Sequence, residues 1–239
     1  MLTRMKRLAF LMLAACGSPS ALPDGSALMD GSPGQGSRDG DSGLYCPAGT
    51  TLTPYKSEVR KTSFAMADMV LDSAADYFAV VETDVGRLVL DLYEAQTPIT
   101  VNSFVFLTLH HFYDGVAFHR VLEGFVAQGG DPNSVDSPSG TWGTGGPGYK
   151  FGLEIVNGLN FDARGSLGMA RAAMPDTNGS QFFITLDPAA SLNGMYTVFG
   201  KVTEGAGTLD LIKRGAMPSG LVSKDPTRMN TVNICQKPR

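Results

Sequence analysis

Apolar and polar positions alternate in short runs along most of the chain, and that rhythm predicts strands. Residues 77–83 (YFAVVET) read as a strand and Asp84-Val85-Gly86 as a turn. Residues 87–93 return as the hairpin partner, with Leu88, Leu90 and Leu92 on one face. The period changes at Thr97-Pro98, where Thr suits an N-cap and Pro the first helical position. Ile99, Val101, Phe104, Val105 and Leu109 carry that helix to about His110. Short strands then recur at 116–121, 125–128, 166–170, 181–186 and 197–202. Leu209, Leu211 and Ile212 predict a second helix over 205–214. Val232 and Ile234 mark a closing strand over 230–235. Residues 57–75 are weakly helical, with Val59, Met66, Met69, Val70 and Leu71 apolar. No internal repeat is present. Many short strands, Gly-rich loops and two helices fit a closed or nearly closed barrel with helical plugs.

The N-terminal pattern is of another kind. Arg4, Lys6 and Arg7 precede a short apolar run, Leu8 to Ala15, far below the ~20 residues that a spanning helix needs. A positive head, a short apolar core and small residues before a break read as a secretory signal over 1–15. Leu13-Ala14-Ala15-Cys16 resembles a bacterial lipobox, in which Cys16 is lipidated and becomes the mature N-terminus. The alternative is a plain signal peptide cut nearby. Gly17 rather than Asp after the cysteine points to the outer membrane, facing the periplasm. Residues 16–45 are dominated by Gly, Ser, Asp and Pro and read as a flexible tether. Asp39-Gly40-Asp41-Ser42-Gly43 lacks the terminal acidic ligand of a calcium loop.

Composition narrows the function. The 239 residues are 43% hydrophobic and 18% charged, with a formal charge of −4, which argues against a nucleic-acid partner. Loss of 1–15 leaves 16 basic and 23 acidic residues, a charge of −7. Beyond Cys16 only Cys46 and Cys235 remain, at the two ends of the folded part. In an oxidising compartment this even pair reads as a disulfide; the alternative is two unpaired thiols. His110, His111 and His119 form no Cys/His cluster with ligand spacing, so no metal is expected.

Six motifs follow in order from residue 118 onward. They are Phe118-His119-Arg120-Val121, Gly124-Phe125-Val126-Ala127-Gln128-Gly129-Gly130-Asp131 and Gly143-Thr144-Gly145-Gly146. Then come Gly165-Ser166-Leu167-Gly168-Met169-Ala170, Asn178-Gly179-Ser180-Gln181-Phe182-Phe183-Ile184-Thr185 and Val198-Phe199-Gly200-Lys201-Val202. Together they resemble the cyclophilin family of peptidyl-prolyl isomerases, over residues 77–239. The resemblance implies a mainly β fold, a closed eight-stranded antiparallel barrel capped by two α-helices, with its site on an outer groove. Residues 46–76 form an extension with no counterpart in the family.

The resemblance also implies site residues. Arg120, Phe125 and Gln128 are the expected catalytic residues. Phe125, Val126, Phe183 and Leu192 match the apolar pocket for the proline ring. Ala170, Arg171, Gln181 and Tyr196 line the neighbouring groove. His119 is grouped with the substrate-binding residues, although no proton transfer is needed and a structural role is favoured. Proline-containing polypeptides are the expected partners of a monomer, and no cofactor is implied. Ser191 stands where many members carry Trp, so cyclosporin binding is expected to be weak and the pocket rim open. Val126 replaces a common Met, Arg171 a common Asn, and Tyr196 a common His. The stretch 172–176 is one residue longer than usual. A binding module or holdase using the same groove without turnover is the alternative. Arg120 favours the enzyme, because holding a proline ring needs only the apolar pocket.

Overall fold

The computed structural model describes residues 37–38 and 44–239, which fall within one compact unit. The signal at 1–15, Cys16 and most of the tether lie outside the described residues. Within the stretch read as tether, β1 (Ser37–Arg38) pairs antiparallel with β2 (Tyr45–Cys46). Ordered structure therefore begins earlier than composition implied.

The strands predicted at 77–83 and 87–93 are β4 (Ala75–Thr83) and β5 (Gly86–Leu92). They pair antiparallel from Phe78↔Asp91 to Thr83↔Gly86. Alternation sorts β4 onto two faces. Tyr77, Ala79 and Val81 enter the main core, which also takes Leu88 and Leu90. Val80 and Val89 are buried on the opposite face with Cys46 and Cys235, under Tyr45 and Leu52. The N-terminal extension supplies that cover. It includes β3 (Thr51–Leu52), which pairs with β11 (Met229–Pro238). The sulfurs of Cys46 and Cys235 are bonded, with S–S 1.95 Å.

The remaining strands are β6 (Arg120–Leu122), β7 (Val126–Gly129), β8 (Ser166–Met169), β9 (Phe182–Thr185) and β10 (Val198–Glu204). All nine strands from β3 to β11 form one antiparallel sheet, ordered β3-β11-β4-β5-β10-β8-β9-β7-β6. The eight antiparallel strands expected of the domain are β4 to β11, and the extension adds β3 as a ninth beside β11. The sheet has nine strands, and β6 and β3 stand at its ends. Isolated bridges Ala117↔Arg228 and Arg120↔Leu221 lie beside the β6 end. The strand expected over 116–121 is reduced to three residues beginning at Arg120, because Gly115, Val116 and Phe118 bond to Met229 and Thr227 instead.

The helix predicted from Pro98 is α1 (Pro98–Thr108). It is buried nearly all round, Thr100 to Thr108 without exception, so its polar Thr100, Asn102, Ser103 and Thr108 are covered along with its apolar side chains. One side faces the aromatic core around Phe104, Tyr113, Phe182 and Phe199. The other is covered by residues 56–71. There Lys56 N–H donates to the Leu109 carbonyl (2.7 Å) and Val70 N–H to Asn102 Oδ1 (2.8 Å), while Asn102 Nδ2 donates to the Asp68 carbonyl (3.0 Å). Those backbone groups are committed to α1, so 57–75 is an extended strap without helix, contrary to its weak periodicity. The second helix expected over 205–214 is also cut back, to the single turn α3 (Thr208–Leu211). Arg214 Nη1 takes the carbonyls of Leu209 and Ile212, and Lys213 N–H donates to Thr227 Oγ1. A further single turn, α2, spans Asn133–Asp136. No helix among the described residues is long and apolar enough to cross a membrane.

Candidate functional site

The site grows from the register of β6, β7 and β9. Arg120 sits directly opposite Gln128, and Gln128 opposite Phe183. Direct antiparallel partners point to the same face, so these three side chains share one side of the sheet. Phe125 and Val126 follow from the turn between β6 and β7. Leu192 and Tyr196 come from the segment between β9 and β10. One cavity of about 90 Å³ is lined by Arg120, Phe125, Val126, Gln128, Ala170, Arg171, Phe183, Leu192 and Tyr196. Nine of the residues expected from the motifs are brought together there.

The floor of this cavity is a small second core. Val126 and Phe183, 3% and 5% exposed, pack with Phe161, Ala189 and Val198. Phe161 lies tilted against Phe183 at 5.3 Å between ring centres, and Tyr196 meets it edge-on at 5.6 Å. Gly168, the direct partner of Phe183 on β8, leaves room for that ring. A Cβ at 168 would stand 2.3 Å from Phe183 Cζ. Phe183 is thereby fixed as a wall of the pocket.

The polar side chains are held from outside the cavity. Arg120 Nε donates to the Ser219 carbonyl at 3.1 Å, which orients the guanidinium along the sheet edge. Gln128 Nε2 donates to Gln181 Oε1 (3.0 Å), and Gln181 Nε2 to the Gly145 carbonyl (2.9 Å). The loop carrying Gly145 is tied in turn to the buried carboxylate of Asp131. Asp131 Oδ2 accepts from the amides of Gly143 and Gly145, and Oδ1 accepts from the Asn133 amide (2.8 Å). A Cβ at Gly145 would lie 2.1 Å from Asp131 Oδ1, so this close approach requires glycine. Gln181 lines not the small cavity but a larger groove of about 730 Å³, whose wall is this glycine loop with Tyr149 and Lys150. The two hollows share Gln128, Ala170 and Arg171.

Arg171 builds the wall between them. Its Nε donates to the Met195 carbonyl, its Nη1 to the carbonyls of Ala172 and Ala173, and its guanidinium lies 4.9 Å from the Tyr196 ring centre. Two loops are pinned together by one side chain. Ser191 lies in the 3-10 turn Ala190–Leu192, and Leu192 alone of that turn lines the cavity.

His119 is not where the substrate-binding grouping put it. Its ring is buried, 1% exposed, and lines neither hollow. A β-strand turns successive side chains to opposite faces, so the residue before Arg120 points inward. Neither ring nitrogen completes a hydrogen bond. Burial, with the neighbouring Arg120 charge, holds its pKa below the ordinary value against the pull of the Asp131 carboxylate.

Asp131, Gly145 and Ser219 went unassigned in the sequence reading. Their contacts with the Gly143–Gly145 loop, Gln181 and Arg120 span 12 to 99 residues, and the motifs that carry Asp131 and Gly145 do not report those partners. Among the described residues, no group of three or more His, Cys, Asp or Glu side chains is placed to hold a metal ion.

Comparison with known proteins decides the family. Residues 78–236 match the model for the cyclophilin type peptidyl-prolyl cis-trans isomerases. This chain belongs to the cyclophilin family. A peptidyl-prolyl cis-trans isomerase of Helicobacter pylori is 44% identical over 147 residues, covering 61% of this chain and 85% of that protein. Peptidyl-prolyl cis-trans isomerase B of Bacillus subtilis is 48% identical over 122 residues, covering 51% and 80%. Among solved structures, a cyclophilin type isomerase of Cryptosporidium parvum, crystallised in the presence of the dipeptide Ala-Pro, matches with a TM-score of 0.59. It is 34% identical, and the match covers 66% of this chain and 98% of that one. The cyclophilin match begins at β4, so the strap and the disulfide-bonded hairpin lie almost wholly outside it.

Proposed function

We propose that this cyclophilin accelerates rotation about X–Pro bonds in polypeptides that fold outside the cytoplasm. The observation that carries the reading is the meeting of Arg120 with Phe125, Val126, Phe183 and Leu192 in one cavity sized for a small ring. An X–Pro amide rotates over a barrier of ~18–20 kcal/mol because resonance holds it planar. In the twisted transition state the prolyl nitrogen pyramidalises and regains a lone pair. A fixed guanidinium beside it donates to that lone pair in the transition state alone. Arg120 is oriented for this by Ser219, and its charge is permanent. Such a bond contributes ~1.5–3 kcal/mol. Anchoring of the ring and grip of the substrate backbone by Gln128 supply the rest. No bond forms or breaks and no proton moves, so the chemistry calls for no nucleophile, metal or cofactor.

The same reading extends to place. A chain lipidated at Cys16 would be held at the outer membrane, facing the periplasm, by the tether read over residues 16–45. A buried disulfide suits that oxidising compartment. The pocket works within one chain, in keeping with a monomer, and Ser191 in the rim is in keeping with weak cyclosporin binding. Cys16→Ser should shift the protein from the membrane to the soluble fraction on cell fractionation.

Catalysis is tested by prolyl isomerisation of a short X–Pro peptide with the full chain and its Arg120→Ala variant. The parent should accelerate exchange, and the variant should lose about 10- to 150-fold in kcat/KM, the range that one charge-assisted bond allows. A folded parent that binds Pro peptides but does not accelerate exchange would leave a binding module in the enzyme's place.

A further inference from the structure

The register that builds the site does not stop at Arg120. A single row runs across the sheet edge: Gly168↔Phe183, Phe183↔Gln128, Gln128↔Arg120, Arg120↔Leu221 and Leu221↔Ala216. Direct antiparallel partners share a face, so Leu221 points to the side occupied by Arg120, Gln128 and Phe183. Leu221 is 48% exposed and Met217, in the same turn, 74% exposed. The turn is anchored where it stands. Gly220 O accepts the Val121 amide, Gly215 N–H donates to the Val121 carbonyl, and Ser219 O holds Arg120. Leu221 is thus presented on the Arg120 face of a fixed turn, outside the two hollows, and Met217 is a second exposed apolar side chain of the same turn.

We propose that Leu221 and Met217 form an apolar specificity site that selects a large aliphatic residue of the substrate next to the proline. The proposal rests on the isomerase reading and names its substrate class: unfolded polypeptide in which the proline is flanked by such a residue. Neighbouring strands lie ~4.8 Å apart, and an extended peptide advances ~3.3 Å per residue. A side chain one or two residues from the prolyl nitrogen therefore reaches Leu221. Methionine is unbranched and polarizable, and suits a surface that must fit several aliphatic shapes.

The test uses a peptide with one proline flanked by Gly, and four relatives with Leu one or two places before or after it. Prolyl isomerisation is measured with the full chain, Leu221→Gln and Met217→Gln. Leu at one of these places should raise kcat/KM about tenfold over Gly, the scale of one apolar contact. Each variant should bring that ratio toward one. Comparing one peptide set across three proteins cancels the peptides' own cis content. Met217, three-quarters exposed, can be changed without unfolding the chain, and a thermal melt shows whether Leu221→Gln is folded. A parent that accelerates all five peptides equally, or variants that keep the preference, would overturn the proposal alone. A parent that accelerates none would overturn the isomerase reading and this one with it.

Discussion

Two residues near the pocket carry predictions of opposite kinds. Gly168 acts by absence of a side chain. Because a Cβ there would meet the Phe183 ring at 2.3 Å, Gly168→Ala must push that ring into the cavity or strain β8. Overpacking of this kind costs about 1–3 kcal/mol, and about 2–4 °C of melting temperature per kcal/mol at this size. A lower melting temperature and a reduced kcat/KM should appear together; an unchanged pair would show that the ring has free space elsewhere. His119 acts by refusing a charge. Its folded pKa lies below the ordinary value, so between the two the unfolded chain binds a proton that the folded one refuses. Its contribution to stability is flat above about pH 7 and is lost as pH falls through the unfolded value near ~6.5. Denaturant titrations from pH 8 to 5 should show a slope of up to about 1.4 kcal/mol per unit. His119→Gln should flatten it. If parent and variant keep parallel slopes, protonation of this ring does not oppose folding.

The elements show why some of the molecule was legible and some was not. β4 and β5 declare themselves by alternation, and α1 begins at the Thr97-Pro98 boundary that its sequence marks. Its cap is another matter. Thr97 makes no side-chain cap, and its Oγ1 donates to the Tyr93 carbonyl. Glu154 takes the role instead, accepting from Ile99 N–H (3.0 Å) and Thr100 N–H (2.7 Å) from about 55 residues away. Nothing near Thr97 announces this. The same limit hid the strap over α1, whose weak helical period lost to hydrogen bonds with α1 and its C-terminal end, and β3, whose two residues carry no period. Arg120, Phe125, Gln128 and Phe183 were legible only as parts of ordered motifs, since each alone resembles a surface cation or a core ring. Glu154→Ala removes acceptors for two free helix amides, and a carboxylate from the positive end of the helix. The cost should be about 0.5–2 kcal/mol, read as a lower denaturant midpoint. Glu154→Gln should recover part of it through its remaining oxygen. Equal midpoints for parent and Ala variant would mean that water serves those amides as well.

At the scale of the whole molecule, the extension and the last strand act as a clasp. Cys46 and Cys235 are both fully buried, with Val80 and Val89, on the outer face of the sheet, and their bond closes a loop with a sequence separation of 189 residues. So long a cross-link restricts the unfolded chain strongly, by ~5 kcal/mol in the chain-entropy model. The native clasp also shelters Val80 and Val89, whose exposure costs apolar burial. Cys46→Ala with Cys235→Ala keeps the packing apolar and removes the link together with two buried sulfurs, whose loss adds a smaller cavity cost. The double variant should unfold at a markedly lower denaturant concentration, with a steeper dependence on denaturant because its unfolded state expands more. A reductant should move the parent toward the variant and leave the variant where it is. Neither cysteine lines the pocket, so isomerase activity measured well below the melting temperature should match the parent's. Matching midpoints for parent and double variant would show that strand pairing alone holds the extension down. A fall in activity without a fall in stability would instead connect the outer face of the sheet to the groove.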